Sequence, residues 1–407
     1  MRIGSNQVWK AVFVIYLPSM LMMLGQGMII PALPAIAEVF NVPGAVAVQA
    51  LTAQLIGRAV AQIPAGAMVD RWGTKPPMLL GASLAAMGAF TAALAPGFLL
   101  ILVSQVIWGI GMSMWMFGRE VAAFDMVRVD QRGRQMSALM GIGSTGSAFG
   151  PAIGGVLTDT LGVRSVFIAY GAIGALVLAI SSTHRDAGVR HHQRAGGGFF
   201  SLRRFKDIHP YFQATYLILF FSTFGQMVRG QITNSMLPLY SQQQLGYSAT
   251  TTGLLFSVIG ISTFVMILPT GFISDKIGRK WAAGPAAVFS GIGFLAFPLA
   301  ESVTALAAVA VMIGIANGLA LGAMTIYTYD IVPDHARGQL QAMRRSFGEF
   351  GAVLSPPLGG IIAAAYSPSA TFWVFAPLHW LSAFLLFFVA KESLNKRLPP
   401  YDEGPEP

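Results

Sequence analysis

The 407-residue sequence predicts an all-α polytopic membrane protein, with twelve transmembrane helices in two pseudo-symmetric six-helix bundles, and three observations predict it. The chain is 54% hydrophobic and only 11% charged, far below the roughly 25% charge of soluble domains. Apolar runs of about 20 residues, each long enough to cross a hydrocarbon core of about 30 Å, alternate with short charged loops. Landmarks of the first half return in the second at one constant offset. Pro64, Gly66, Asp70 and Gly73 recur as Pro269, Gly271, Asp275 and Gly278, and Gly109 recurs as Gly314. Asp125, Arg132 and Gly133 recur as Asp330, Arg337 and Gly338, and Pro151, Gly154 and Gly155 as Pro356, Gly359 and Gly360. Such parallel duplication is the trace expected of a transporter whose halves rock about a midplane site.

The spans follow in order. The first, 11–33, is longer than a secretory apolar core and lacks a small-residue cleavage site, so it reads as retained. Next come 46–68, 77–96, 98–121, 136–158 and 163–182, closing an N-terminal bundle over 1–182. Residues 183–209, rich in His, Arg and Gly and without apolar periodicity, read as a cytoplasmic linker. Spans 210–240, 249–272, 281–299, 303–329, 340–364 and 369–390 make a C-terminal bundle over 210–390, and 391–407 is a tail.

The net charge of +9 is a topology signal. Nearly every Lys and Arg falls in an even-to-odd loop or a terminal segment, leaving Arg58, Arg164 and Arg229 as exceptions. That bias predicts both termini in the cytoplasm, a multi-pass chain in the plasma or bacterial inner membrane, and no nucleic-acid partner. The absence of cysteine excludes disulfides and thiolate metal sites. No nucleotide-binding glycine loop, zinc spacing or nucleophile with a base occurs, so no enzyme activity, metal or cofactor is expected.

Two loops carry a shared pattern. Gly66-Ala-Met-Val-Asp70-Arg71-Trp-Gly73-Thr-Lys75 returns as Gly271-Phe-Ile-Ser-Asp275-Lys276-Ile-Gly278-Arg279-Lys280. Glycine lets one helix end approach its neighbour, the Asp can face the positive N-terminus of another helix, and the basic residues stay at the surface. In the fifth span Gly146, Gly150 and Gly154 share one helical face beside Gly155, and Pro151 removes a backbone bond, which makes a hinge or seal. The loops resemble the signature of the major facilitator superfamily. The fifth-span pattern is similar to the motif of its exporters and antiporters, and Gly25, Gly27, Pro31 and Pro34 resemble its drug-efflux branch. One departure stands in the fourth span, which reads Gln105-Val-Ile-Trp108-Gly109-Ile-Gly111. Where the resemblance would place a proton-handling arginine there is Gln105, which cannot titrate.

Charges inside spans cost at least about 2.5–3.5 kcal/mol on insertion scales, so each needs a partner or a purpose. Arg58 lies deep in the second span. Gln226, Arg229 and Thr233 share one face of the seventh, beside Asn234. With Gln26 and Trp115 these are the candidate substrate contacts, either as a cationic wall for an anionic or amphiphilic solute or as structural ion pairs. Glu349 is the candidate proton-coupling acid, with a salt bridge to Arg345 as the alternative. Gly66, Asp70, Arg71, Gly73, Asp275, Lys276, Gly278, Arg119, Glu120, Asp125, Asp330 and Arg345 are candidate gating residues. His379 reads as a packing residue. The methionines of the first and fourth spans, with Trp108 and Trp115, read as an adaptable pocket wall or as core.

The expected function is alternating-access secondary transport, with protons as the possible coupling ion, exporting a small amphiphilic or organic-anion substrate from a monomer. A lipid or lysolipid transporter and a solute importer are the alternatives of the same fold. A channel or receptor leaves the paired loops unexplained.

Overall fold

The structure, a computed structural model, describes residues 12–125, 132–182, 202–333 and 336–394. Most of the expected linker and tail, and Arg2, Lys10 and Arg128 among the topology-setting basic residues, lie outside them. So do the side chains of Asp125 and Arg132.

Within hydrocarbon a backbone finds no water, so every crossing must satisfy its own N–H and C=O groups. The predicted apolar runs accordingly fold as helices, and among the described residues there is no strand. The first six are α1 (Leu17–Val39), α2 (Gly44–Trp72), α3 (Lys75–Ala93), α4 (Phe98–Asp125), α5 (Arg132–Leu161) and α6 (Val163–Ser182). The second six are α7 (Pro210–Pro238), α8 (Ala249–Ile277), α9 (Lys280–Leu299), α10 (Val303–Ile331), α11 (Arg337–Ala365) and α12 (Pro368–Val389). Ten are long and apolar enough to cross a membrane. The other two, α5 and α7, have 30 and 29 residues but carry many small and polar side chains.

Several helices are broken where proline or glycine requires it. A 3₁₀ turn at Ile30–Ala32 interrupts α1 at Pro31. Gly322, at φ 79°, restarts α10 in the left-handed region that favours glycine.

The chain forms two compact units, residues 1–194, 232–264 and 353–371 in one and 195–231, 265–352 and 372–407 in the other. Helices α7, α8, α11 and α12 contribute to both. Lipid is as apolar as leucine, so helices associate through close packing of small residues. In the first unit a Cβ on Gly57 would meet the Val106 carbonyl at 2.2 Å, and one on Gly109 the Gln54 carbonyl at 2.1 Å. Any larger residue there would push α2 and α4 apart. Met22, Met112, Trp108, Trp115 and Tyr170 fill the core beneath, with the Tyr170 hydroxyl donating to both sulfurs at 3.9 Å. The second unit packs Tyr216, Tyr327, Phe212 and Met324, and the Tyr216 hydroxyl donates to the Leu340 carbonyl at 2.8 Å.

Candidate functional site

In the second unit α7, α9 and α12 bring three polar side chains into one buried region. Arg229 is 3% exposed and donates through Nη1 to the Ser290 hydroxyl. Its Nε has no partner, and among the described residues it makes no ion pair. His379 packs edge-on against Phe294, one turn beyond Ser290, with ring centroids 4.7 Å apart. Its Nε2 is also without a partner, so it is a packing residue, but not a fully satisfied one. A buried cation held by one neutral hydroxyl keeps most of its hydrogen-bonding capacity for an acceptor.

Arg344 shows the contrasting case. It is equally buried, yet Nη1 donates to Thr223 Oγ1 at 2.6 Å, Nε and Nη2 donate to Gln341 Oε1 at 3.2 and 2.9 Å, and Nη2 also reaches Thr325 Oγ1 at 3.2 Å. It ties the lower half of the broken α10 to α7 and α11. In the sequence it read only as a loop charge.

The remaining candidates are dispersed. Gln226 is half-buried in the second unit. Thr233, buried with an unpartnered hydroxyl, and Asn234, half-buried, continue α7 in the first unit. Arg58 and Gln26 are half-buried in the first unit. Trp115 is fully buried against Gly81, with the Arg119 guanidinium 5.3 Å from its ring centre. Glu120, beside it, is half-buried. The methionine and tryptophan cluster is the core of the first unit. Glu349 is half-exposed, Arg345 is exposed, and the salt bridge between them that stood as the alternative is absent among the described residues.

The repeated loops turn on their last glycine, with Gly73 at φ 83° and Gly278 at φ 145°. Gly66 is half-buried, while Asp70, Arg71 and Lys276 are exposed. In the second copy Arg279 bridges Asp275 at 2.6 Å and Asp330 at 2.7 Å. Burial alone would lower its pKa, but the hydrogen bonds and charges of Asp330 and Asp275 outweigh that and raise it. The acid facing a helix N-terminus is Glu392, which accepts from the Arg279 and Lys280 N–H groups at 2.9 and 3.0 Å at the start of α9. Sequence reasoning missed Glu392; the available signal was one acid at the head of a basic tail.

The glycine face of α5 lies on α1. A Cβ on Gly146, Gly150 or Gly154 would meet the carbonyls of Met20, Leu24 and Met28 at 2.3, 2.2 and 2.1 Å. An adjacent face meets α8, where Cβ atoms on Gly155 and Gly253 would lie 2.3 Å from the Ala249 carbonyl and 2.2 Å from the Pro151 carbonyl. At the end of that face Asp159, also missed in the sequence, accepts from the Ala249 and Thr250 N–H groups at 3.1 and 2.7 Å.

Comparison with known proteins places these features. Multidrug resistance protein 2 of Bacillus subtilis is 23% identical over 87% of this chain and 89% of its own length. Tetracycline resistance protein, class H, of Pasteurella multocida is 25% identical over 93% and 94%. Among solved structures, a D-xylose–proton symporter superposes with a TM-score of 0.78 at 16% identity, covering 96% of this chain and 100% of that one. The nucleoside transporter NupG superposes with a TM-score of 0.73 at 16% identity, covering 93% and 98%. The profile of the Major Facilitator Superfamily matches residues 15–248 and again 216–407, one match for each half of the repeat. With twelve helices, paired signature loops and relatives of the drug-efflux branch, the chain belongs to the Major Facilitator Superfamily.

Proposed function

We propose that this transporter is a proton-coupled exporter of a small amphiphilic or organic-anion solute, working by alternating access. The observation that carries the anion preference is Arg229, a buried guanidinium with free donor capacity and no ion pair among the described residues. Gln226 and Thr233 lie on the same face of α7, and Arg58, in the first unit, is a proposed substrate contact in its own right. The glycine face of α5 and relatives named for multidrug and tetracycline resistance support the outward direction. Glu349, half-exposed and free of Arg345, is the proposed proton-coupling acid. In this reading both termini are cytoplasmic, the two bundles are the moving parts, the gating residues are the loop and helix-end groups named above, and a monomer suffices.

Reconstituted vesicles test this with an anionic amphiphile and a neutral one of the same shape. Arg229→Gln raises KM for the anion about tenfold or more and leaves the neutral compound within about twofold, a difference of roughly 1.4 kcal/mol. Glu349→Gln abolishes uphill transport driven by a proton gradient and preserves solute exchange. Equal KM changes for both compounds would remove the cationic site. Uphill flux that persists in Glu349→Gln would remove that carboxylate from coupling, and accumulation driven inward would favour an importer.

A further inference from the structure

The first unit contains two symmetry-related joints, and only one of them carries a carboxylate. At the first, Gly155 of α5 lies against the start of α8, where its Cβ would come within 2.3 Å of the Ala249 carbonyl. At the second, the repeat-related Gly360 of α11 lies against the start of α2, where its Cβ would come within 2.8 Å of the Ala45 carbonyl. One turn past Gly155 stands Asp159, whose two oxygens take the first two N–H groups of α8. The equivalent residue one turn past Gly360 is Ala364, and the short helical turn Gly44–Ala47 that opens α2 has no side-chain cap. The fold therefore closes this joint without an acid. The charge at the other joint is an addition to the architecture.

Both oxygens take backbone donors, and the Thr250 and Ser248 side chains also hydrogen-bond the carboxylate, so the contact forms or breaks as a unit at the first turn of α8. Charge-assisted bonds of this kind are roughly twice as strong as neutral ones, and the carboxylate also meets the positive end of a helix. Asp159 is exposed, so water replaces its partners on release. A buried carboxylate would be left unsatisfied and could not let go readily. Beneath it the joint is glycine against carbonyl, with little hydrogen bonding to lose. Close by, the Gln242 amide donates to the Pro31 carbonyl at 2.8 Å, a second link between residues of the two sequence halves.

We propose that Asp159 is the latch of this mouth of the transporter, a positioning residue that holds the first turn of α8 against α5 and is released when this end opens. The inference rests on the alternating-access reading, and its test needs neither solute nor flux, so the two can fail separately. The chain has no cysteine, which allows single reporters. Ser241→Cys, at a fully buried position whose hydroxyl lies 2.8 Å from that of Thr252 in α8, reports opening of this end. Thr328→Cys, equally buried in the second unit, reports general loosening.

In membrane vesicles, reaction of the Ser241→Cys reporter with a membrane-impermeant maleimide should accelerate about tenfold in Asp159→Asn. The Thr328→Cys reporter should stay within about twofold, and Asp159→Glu should restore most of the protection. Ala364→Asp, which supplies the missing carboxylate at the sister joint, should slow labelling at Ser241→Cys below the native rate. An unchanged rate in Asp159→Asn overturns the latch. Equal acceleration at both reporters also overturns it, because that is what a merely structural role would give.

Discussion

The loop after α2 and the loop after α8 share one motif, but their surroundings differ. The second is bound into a network: Arg279 holds Asp275 and Asp330 and donates to the Ser274 carbonyl at 2.8 Å. Ser393 donates to Asp330, and Glu392 caps α9. In the first, Asp70 and Arg71 are exposed, the Arg71 guanidinium lies 5.4 Å from the Trp72 ring centre, and Asp70 makes no ion pair among the described residues. The residue in register with Arg279 is Thr74. The motif therefore sets the turn, through a glycine at positive φ in both copies. One position that differs between the copies, Thr74 against Arg279, and residues outside the repeated stretch, Asp330, Glu392 and Ser393, bolt the second turn down.

The sharpest way to break the comparison is Glu392→Ala against Asp70→Ala. Removing Glu392 strips the acceptor from the Arg279, Lys280 and Leu394 N–H groups together. Hydrogen bonds to charged groups contribute about 1.5–3 kcal/mol, so the loss should be about 2 kcal/mol and lower the thermal midpoint in detergent by several degrees. Asp70→Ala, at an exposed site, should stay within about 0.5 kcal/mol. Equal shifts would mean that the first loop is braced as firmly as the second.

This contrast also marks what could be read from the sequence. The twelve helices were legible because hydrocarbon leaves the backbone no alternative, and every expected span overlaps an observed helix. The turn glycines were legible because both copies need φ above zero. The face of Gly146, Gly150 and Gly154 was visible as a period, but its partner on α1 was not, since spacing says which residues share a face and not what lies opposite. Glu392, Asp159 and the neutral oxygens around Arg344 stayed hidden for the same reason. Each acts on a helix distant in sequence, and no local pattern records that. Arg229 stood out as a charge within a span, whereas His379 beside it read only as packing and Ser290 did not stand out at all, because isolated polar residues of that kind are ordinary in helices.

A finer probe compares Gly278→Ala with Gly73→Ala. Both force a side chain into a positive-φ, extended-ψ conformation that costs about 1–3 kcal/mol for an L-residue, so both should lower stability. At Gly278 the added Cβ would also lie 2.4 Å from Glu392 Oε2 and dislodge the cap on α9. Gly278→Ala should therefore exceed Gly73→Ala by about 1 kcal/mol in thermal unfolding. In a Glu392→Ala background that excess should vanish, because the atoms that clash are gone. An excess that survives there would assign the difference to the backbone alone.

The smallest expected effect is a null one, and it concerns pH. Arg279 is raised by its two carboxylates against the opposing effect of burial. A group whose folded value lies above its unfolded one contributes stability that is fully present below the unfolded value. That contribution is lost only as pH rises through the folded value. For a guanidinium the unfolded value is already above about 12, so the advantage of native protein over Arg279→Gln should be constant from about pH 7 to pH 10. Arg279→Lys moves the window into reach: lysine titrates near about 10.4 when unfolded, so its advantage over Arg279→Gln should begin to fall only above that. Thermal midpoints across this range decide it. A native advantage that already declines between pH 7 and 10 would show that another titrating group, and not the guanidinium, holds the second loop.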